Sequence, residues 1–244
     1  MYITFLLLLL ILVLFIIYKK LDENPISAPR PLRHQSLRKH QPVTMFYINL
    51  LRSTDRRKHI ENLKIKYNMP LLRRFNAYDG KNKILNETEF LLLEKHINKN
   101  KNSKIVNGEC GCILSHYYLW KTIIKNQYEY TLICEDDILI KKNITKELET
   151  LKDEDYDIIF LFNDKKEIRN KKTKIITMHK SFWFGCGTLC YFITLKGAKK
   201  LISIAESKGF NQPVDHWMYN TPLDIGILTH PFIFKDDIFK ISFL

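Results

Sequence analysis

The chain has 244 residues, 45% of them hydrophobic and 27% charged; that is ordinary globular usage and excludes a disordered or fibrous protein. The length fits one large domain with a short appendage. Lys and Arg number 39 against 26 Asp and Glu, a formal charge of +13, and such an excess points to a polyanionic partner: nucleic acid, anionic lipid or a phosphorylated ligand.

Residues 2–18 (YITFLLLLLILVLFIIY) carry no charge. As a helix rising 1.5 Å per residue the run reaches roughly 26 Å, enough for a bilayer core. A cleaved signal peptide has a basic segment before the apolar run and small residues after it, and this sequence has neither. Residues 1–20 are therefore read as a single transmembrane anchor. The basic residues Lys19, Lys20, Arg30, Arg33, Arg38 and Lys39 follow it, which by the positive-inside rule favours a cytosolic side for the rest of the chain. The Asn86 and Asn143 sequons would suit a lumenal domain instead. Residues 21–42 hold prolines at 25, 29, 31 and 42 and no apolar periodicity, so they form a basic linker. The folded domain is placed at 43–244.

Within that domain, residues 43–50 are rich in β-formers, and Ile60, Leu63 and Tyr67 space out a helix over 53–66. A second strand over 71–77 ends at the turn pair Asp79-Gly80, a helix is predicted over 87–96, and the Lys/Asn-rich stretch 98–104 is read as a loop. Ile113, Leu114, Tyr117, Trp120, Ile123 and Ile124 recur at helical spacing over 108–125. Apolar strands are predicted at 130–134, 157–162 and 188–194, with a helix over 195–206. Strands that are apolar throughout, alternating with helices, indicate an α/β fold around a mostly parallel sheet.

The strand at 130–134 runs directly into Glu135-Asp136-Asp137. Ligands in open α/β sheets bind beyond the carboxyl ends of strands, and three adjacent acids there repel unless a cation neutralises them. A hard divalent ion is the natural partner, the alternative being a solvated acidic turn. If the backbone stays extended, Glu135 and Asp137 share a face and Asp136 takes the other.

Seven blocks in order resemble glycosyltransferase family 25: Phe46-Tyr-Ile-Asn-Leu50 with Arg52 and Asp55-Arg56; Arg74-Phe-Asn-Ala-Tyr-Asp-Gly80; Gly108-Glu-Cys-Gly-Cys-Ile-Leu-Ser-His116 with Trp120; Leu132-Ile-Cys-Glu-Asp-Asp137; Gly187-Thr-Leu-Cys-Tyr-Phe-Ile193; Gly197-Ala198; and Pro213-Val-Asp215. The family includes lipooligosaccharide and collagen galactosyltransferases. The resemblance implies a GT-A type Rossmann-like domain, a UDP-sugar donor, Mn²⁺ or Mg²⁺, and transfer of a hexose such as galactose, with inversion, to a saccharide or glycoprotein hydroxyl. It assigns the metal to Glu135, Asp136 and Asp137. Asn49, Arg52, Arg56, Asp79, Gly80, Ser115 and His116 become candidates for the donor pocket. Four of them also have a plain structural reading: Asn49 as a cap, Arg56 as a solvated helix residue, Gly80 as a turn, His116 as a buried hydrogen-bonded ring. A hydroxyl acceptor needs a general base; Asp215 is the first candidate and His216 the second, with a helix cap as the alternative for Asp215. Past residue 216 the family pattern departs, with Lys235-Asp-Asp-Ile238 in place of its terminal segment, and an absent or truncated acceptor-binding extension is the expectation.

Five cysteines, Cys110, Cys112, Cys134, Cys186 and Cys190, are too few for a disulfide scaffold. With His116 they raise a zinc site, but Cys-x-Cys spacing fits no common zinc pattern. Nucleic-acid binding is disfavoured, since neither a helix-turn-helix, a zinc finger nor an aromatic-basic pattern is present and the basic residues are dispersed. An inactive nucleotide-sugar-binding relative is the remaining alternative, against which the intact acidic triplet and Asp215 count.

Overall fold

The computed structural model of the chain describes residues 41–82, 84–100, 106–163, 168, 173–178 and 187–236. The anchor and linker predicted for 1–42 lie almost wholly outside them, and no helix among the described residues is long and apolar enough to cross a membrane. The chain divides into Met1–Leu37 and Arg38–Leu244, and the second unit is described below.

Its strands are β1 (Thr44–Asn49), β2 (Leu72–Asn76), β3 (Tyr130–Glu135), β4 (Ile138–Ile140), β5 (Ile158–Phe160), β6 (Ile175–Thr177), β7 (Cys190–Thr194), β8 (Ile225–Leu228) and β9 (Ile233–Lys235). Its helices are α1 (Thr54–Lys66), α2 (Glu87–Asn100), α3 (Val106–Lys125), α4 (Thr145–Leu151), α5 (Leu195–Lys208) and α6 (Val214–Tyr219). Seven strands form one sheet in the order β2-β1-β3-β7-β5-β8-β6, and β4 pairs with β9 in a separate ribbon. The sheet is mixed: β7 runs antiparallel to both its neighbours and β6 antiparallel to β8, while the other five strands share a direction.

Side-chain alternation along the strands feeds two cores, as it must where both faces of a sheet are covered. Phe46 and Ile48 of β1, Ile133 of β3 and Tyr191 and Ile193 of β7 join the cluster that includes α3, α5 and α6 residues. Their neighbours Met45, Tyr47, Leu132, Cys134, Cys190 and Phe192 join the cluster with Ile60 and Leu63 of α1 and Leu148 and Leu151 of α4. The result is a three-layer α/β/α arrangement. Trp120 of α3 stacks on Trp217 of α6, with centroids 6.1 Å apart and planes 18° apart, which seats α6 against α3.

One sequence expectation shifts. Helix α2 continues through Asn98–Asn100, read above as loop, because Lys is a good helix former and the Asn100 side chain donates 2.9 Å to the His96 carbonyl, satisfying an end group. The short elements β4, α4, β6, β8 and β9 had no clear pattern, and most place only three or four residues in register.

Glycines set one contact that matters to the site. Gly80 follows β2, and Gly111 lies in the first turns of α3; a Cβ on Gly111 would stand 2.8 Å from the Gly80 nitrogen and 2.9 Å from the Tyr78 carbonyl oxygen. Bare backbone on both sides lets the Asp79 loop lie directly on α3. A methyl at Gly80 would run into the Asn107 carbonyl. Gly80→Ala is therefore expected to lower the unfolding free energy by about 1–3 kcal/mol, measured by urea denaturation.

Candidate active site

The acidic triplet stands where β3 ends, and strand alternation divides it between the two layers. Glu135 continues the row of Ile133 and faces the α3 layer, where Cys112 Sγ, His116 and a Glu135 carboxylate oxygen lie within 4.8 Å of one another. Thr188 donates 2.6 Å to Glu135 Oε1. Asp136 continues the row of Leu132 and Cys134 and faces α1, as the extended-chain argument requires. Its Oδ2 accepts from Asn49 at 2.7 Å and its Oδ1 from the Arg56 guanidinium at 2.7 Å. Asp136, a candidate metal ligand in the sequence, thus has each oxygen engaged by a neighbouring side chain.

The strand ends at Glu135, and Asp136 and Asp137 form the turn after it, so the extended geometry that would have aligned Asp137 with Glu135 is not kept. It is 1% exposed, and its Oδ1 has no hydrogen-bond partner among the described residues. Its Oδ2 is 3.9 Å from the Arg56 guanidinium and 4.0 Å from Lys235 Nζ. Burial pushes the Asp137 carboxyl up from its ordinary range, against the pull of Arg56 and Lys235. Glu135 is pushed up to about 7, by burial first and by the Asp137 charge second, with the Thr188 hydrogen bond opposing. A half-buried Glu135 and a buried Asp137 that repel each other, the latter with an oxygen unpartnered among the described residues, suit a hard divalent cation.

Asn49 holds this end of the sheet together. It is 1% exposed; its amide donates to Asp136 and, at 3.0 Å, to the Ser53 carbonyl, while its Oδ1 accepts from Arg74 Nε at 2.8 Å. Arg74–Asn49–Asp136–Arg56 is one continuous chain across β2, β1, β3 and α1. Arg52 pairs with Asp79 at the rim. Burial tends to raise the Asp79 carboxyl, but hydrogen bonds from Arg52, Asn82 and the Lys81 N–H outweigh it and hold it below its usual range. Ser115 accepts from the Tyr78 N–H at 2.8 Å and donates to the Gly111 carbonyl at 2.6 Å, so its hydroxyl binds the loop carrying Asp79 and Gly80 to α3. Beside it, a cleft of about 360 Å³ is lined by Phe75, Asn76, Ala77, Tyr78, Glu89, Ser115 and Tyr118.

His116 is fully buried. Trp120 Nε1 donates 2.9 Å to the Tyr191 hydroxyl, which lies 2.7 Å from His116 Nδ1. The ring's Nε2 has no partner among the described residues, and burial holds the imidazole neutral, its pKa depressed to about 3. Asp215 sits in the first turn of α6; its Oδ1 accepts from its neighbour's N–H, that of His216, at 2.8 Å, and its Oδ2 is 4.0 Å from His216 Nε2. The N-cap position belongs to Pro213. Burial pushes the Cys112 thiol up, and the charges of Glu135 and then Asp215 push it the same way.

Sequence reasoning passed over Arg74, Thr188 and Lys235 as site residues, although each stands inside or beside a quoted block. Among the cysteines, Cys134 and Cys190 face each other across β3 and β7 with sulfurs 3.0 Å apart, and Cys186 lies outside the described residues.

A family model described as "Glycosyltransferase family 25 (LPS biosynthesis protein)" matches residues 43–218, and the chain belongs to that family. Its relatives include procollagen galactosyltransferase 2 of Homo sapiens, 30% identical over 195 residues that make 72% of this chain and 30% of that protein. Procollagen galactosyltransferase 1 of Danio rerio is also 30% identical over 195 residues, 72% of this chain and 31% of its own. A glycosyltransferase 25 family member of Drosophila melanogaster is 29% identical over 214 residues, 82% and 32%. The chain thus spans under a third of the length of these relatives. Among solved structures, A197 from STIV aligns with a TM-score of 0.42 at 13% identity, covering 77% of this chain and 82% of that one.

The raised Glu135 pKa has a sign. Between its ordinary 4.5 and about 7 the folded protein keeps a proton that the unfolded chain has released, so the metal-free fold loses stability as pH rises through that window. Glu135→Gln is expected to raise Tm over the parent at about pH 8 and to leave little difference at about pH 4, read by thermal melts in chelator.

Proposed function

We propose that this glycosyltransferase moves a hexose, galactose being the favoured sugar, from a UDP-sugar to a hydroxyl of a saccharide or glycoprotein with inversion at the anomeric carbon, on a GT-A type domain. The observation that carries the reading is the half-buried Glu135 beside the buried Asp137 at the carboxyl end of β3, with an Asp137 oxygen that has no partner among the described residues. Glu135 and Asp137 are the residues to hold Mn²⁺ or Mg²⁺, which when bound offsets the negative charge gathering on the departing diphosphate. Asp136 is a positioning residue: through Asn49 and Arg56 it fixes the turn that carries Asp137. Arg52 and Asp79 at the rim, next to the 360 Å³ cleft, are suited to contact the nucleoside end of the donor.

Asp215 is the proposed general base. It takes the proton of the acceptor hydroxyl while that oxygen bonds to the anomeric carbon and the carbon–phosphate oxygen bond breaks, releasing UDP. His216, whose N–H caps the Asp215 carboxylate, keeps that carboxylate oriented. The names of the procollagen galactosyltransferases support galactose and a protein-borne acceptor; the family description, an LPS biosynthesis protein, supports a saccharide. The uncharged run at 2–18 and the basic flank after it support a single membrane anchor with the domain in the cytosol.

The test is release of UDP from UDP-galactose by the purified chain, with Mn²⁺ and with chelator. Turnover is expected to need the ion. Asp137→Asn is expected to reduce kcat by about 10²–10³ with Tm nearly unchanged, as for loss of one electrostatic contact to the leaving group. Asp215→Asn is expected to cost about 10²–10⁴ in kcat with little change in the donor KM. Normal turnover in either variant removes that residue's role.

A further inference from the structure

Cys112 and His116 are four residues apart on α3, which puts both side chains on one helix face. That face meets Glu135 at the end of β3, and the sulfur, a ring nitrogen and a carboxylate oxygen fall within 4.8 Å of one another. The His116 ring is fully buried and its Nε2 has no partner among the described residues, a costly arrangement that a ligand would relieve. A tetrahedral ion with bonds of about 2.0–2.3 Å holds its ligand atoms roughly 3.5 Å apart, so closure asks for an ångström of side-chain adjustment. The outer contacts fit as well. With Nε2 given to a metal, Nδ1 carries the ring proton and donates to the Tyr191 oxygen 2.7 Å away, which also accepts from Trp120; metal-bound histidines are oriented by such a second hydrogen bond.

We propose that Cys112, His116 and Glu135 form a second metal position that selects Zn²⁺ or a similar borderline-soft ion over Mn²⁺ and Mg²⁺. Thiolate and imidazole favour zinc, whereas manganese and magnesium favour oxygen. Binding releases the Cys112 thiol proton to solvent, and the sulfur, the neutral ring and the carboxylate together carry a charge of −2 against the ion's +2. Because Glu135 belongs to both positions, zinc draws it away from Asp137. Zinc is then an inhibitor of transfer, a consequence that rests on the role given to Glu135 under the proposed function.

The experiment is a titration of the whole metal-free chain with Co²⁺ under reducing conditions, followed by absorbance. One equivalent is expected to produce the near-ultraviolet thiolate-to-cobalt band and tetrahedral visible bands, and Zn²⁺ to erase both while Mn²⁺ in excess does not. Cys112→Ser is expected to abolish the thiolate band. Tyr191→Phe keeps the thiol and removes only the acceptor behind His116, so it is expected to retain the band and weaken Co²⁺ affinity by about 10–100-fold. A thiolate band that survives unchanged in Cys112→Ser, a spectrum without one, or full affinity in Tyr191→Phe overturns the site. In UDP-release assays Zn²⁺ is expected to inhibit the parent more strongly than Cys112→Ser. If the cobalt spectra hold but the parent releases no UDP from any donor, the zinc site stands and the proposed function falls.

Discussion

A β-strand hands successive side chains to opposite faces, and at the end of β3 that rule decides what each acid of the triplet can do. The phase of alternation is set upstream by Leu132, Ile133 and Cys134, which must bury on their own sides of the sheet. A slip of one residue would send Glu135 to α1 and Asp136 to α3, so hydrophobic packing enforces the polar arrangement. Asp136 is thereby committed to the α1 layer and its arginine. Glu135 is committed to the α3 layer, where it finds a thiol and an imidazole and no guanidinium among the described hydrogen bonds. The same three letters in the sequence become three different electrostatic environments.

The imbalance between those environments is informative. Asp136 is neutralised at hydrogen-bond distance by Arg56, which Asp137 can reach only at 3.9 Å. Interactions of this kind weaken quickly with distance and gain from burial. One cation well placed for one acid and poorly placed for the next leaves residual negative charge on the Asp137 and Glu135 side, where burial opposes it. The molecule holds a local excess of charge at the carboxyl end of its central strands, and the overall charge of +13 is distributed elsewhere. The chain Arg74–Asn49–Asp136–Arg56 serves a different purpose: each residue in it is hydrogen-bonded to the next, and such a network rigidifies what it connects.

Much of this was legible in the residues. The central strands β1 and β3 are unbroken apolar runs, and a run that ends in three acids announces a site at a strand terminus. The split of Asp136 from Glu135 followed from period two alone. Asp137 did not follow, because whether a chain stays extended past its last ladder hydrogen bond depends on the turn it enters. What sequence spacing could not supply were partners from distant segments: Thr188 reaches Glu135 across 53 positions, and Arg56 reaches Asp136 across 80. Cys112 was weighed with the other cysteines, whereas its neighbours in space are an imidazole and a carboxylate. The short strands β4, β6, β8 and β9 carry too few residues for a period to show, and they exist through pairing with partners remote in the chain.

The β4–β9 ribbon lies directly after the acidic turn. Its pairing brings Lys235 beside Asp137 and lets the Asp236 N–H donate 2.7 Å to the Asp137 carbonyl. The turn that ends β3 therefore receives its second countercharge and a backbone tether from nearly a hundred residues downstream. Loops of that length close late, after local helices and neighbouring strands have formed. During synthesis the acids would emerge well before the lysine that steadies them. A nascent or partly folded chain would hold the acidic motif without its downstream countercharge and tether.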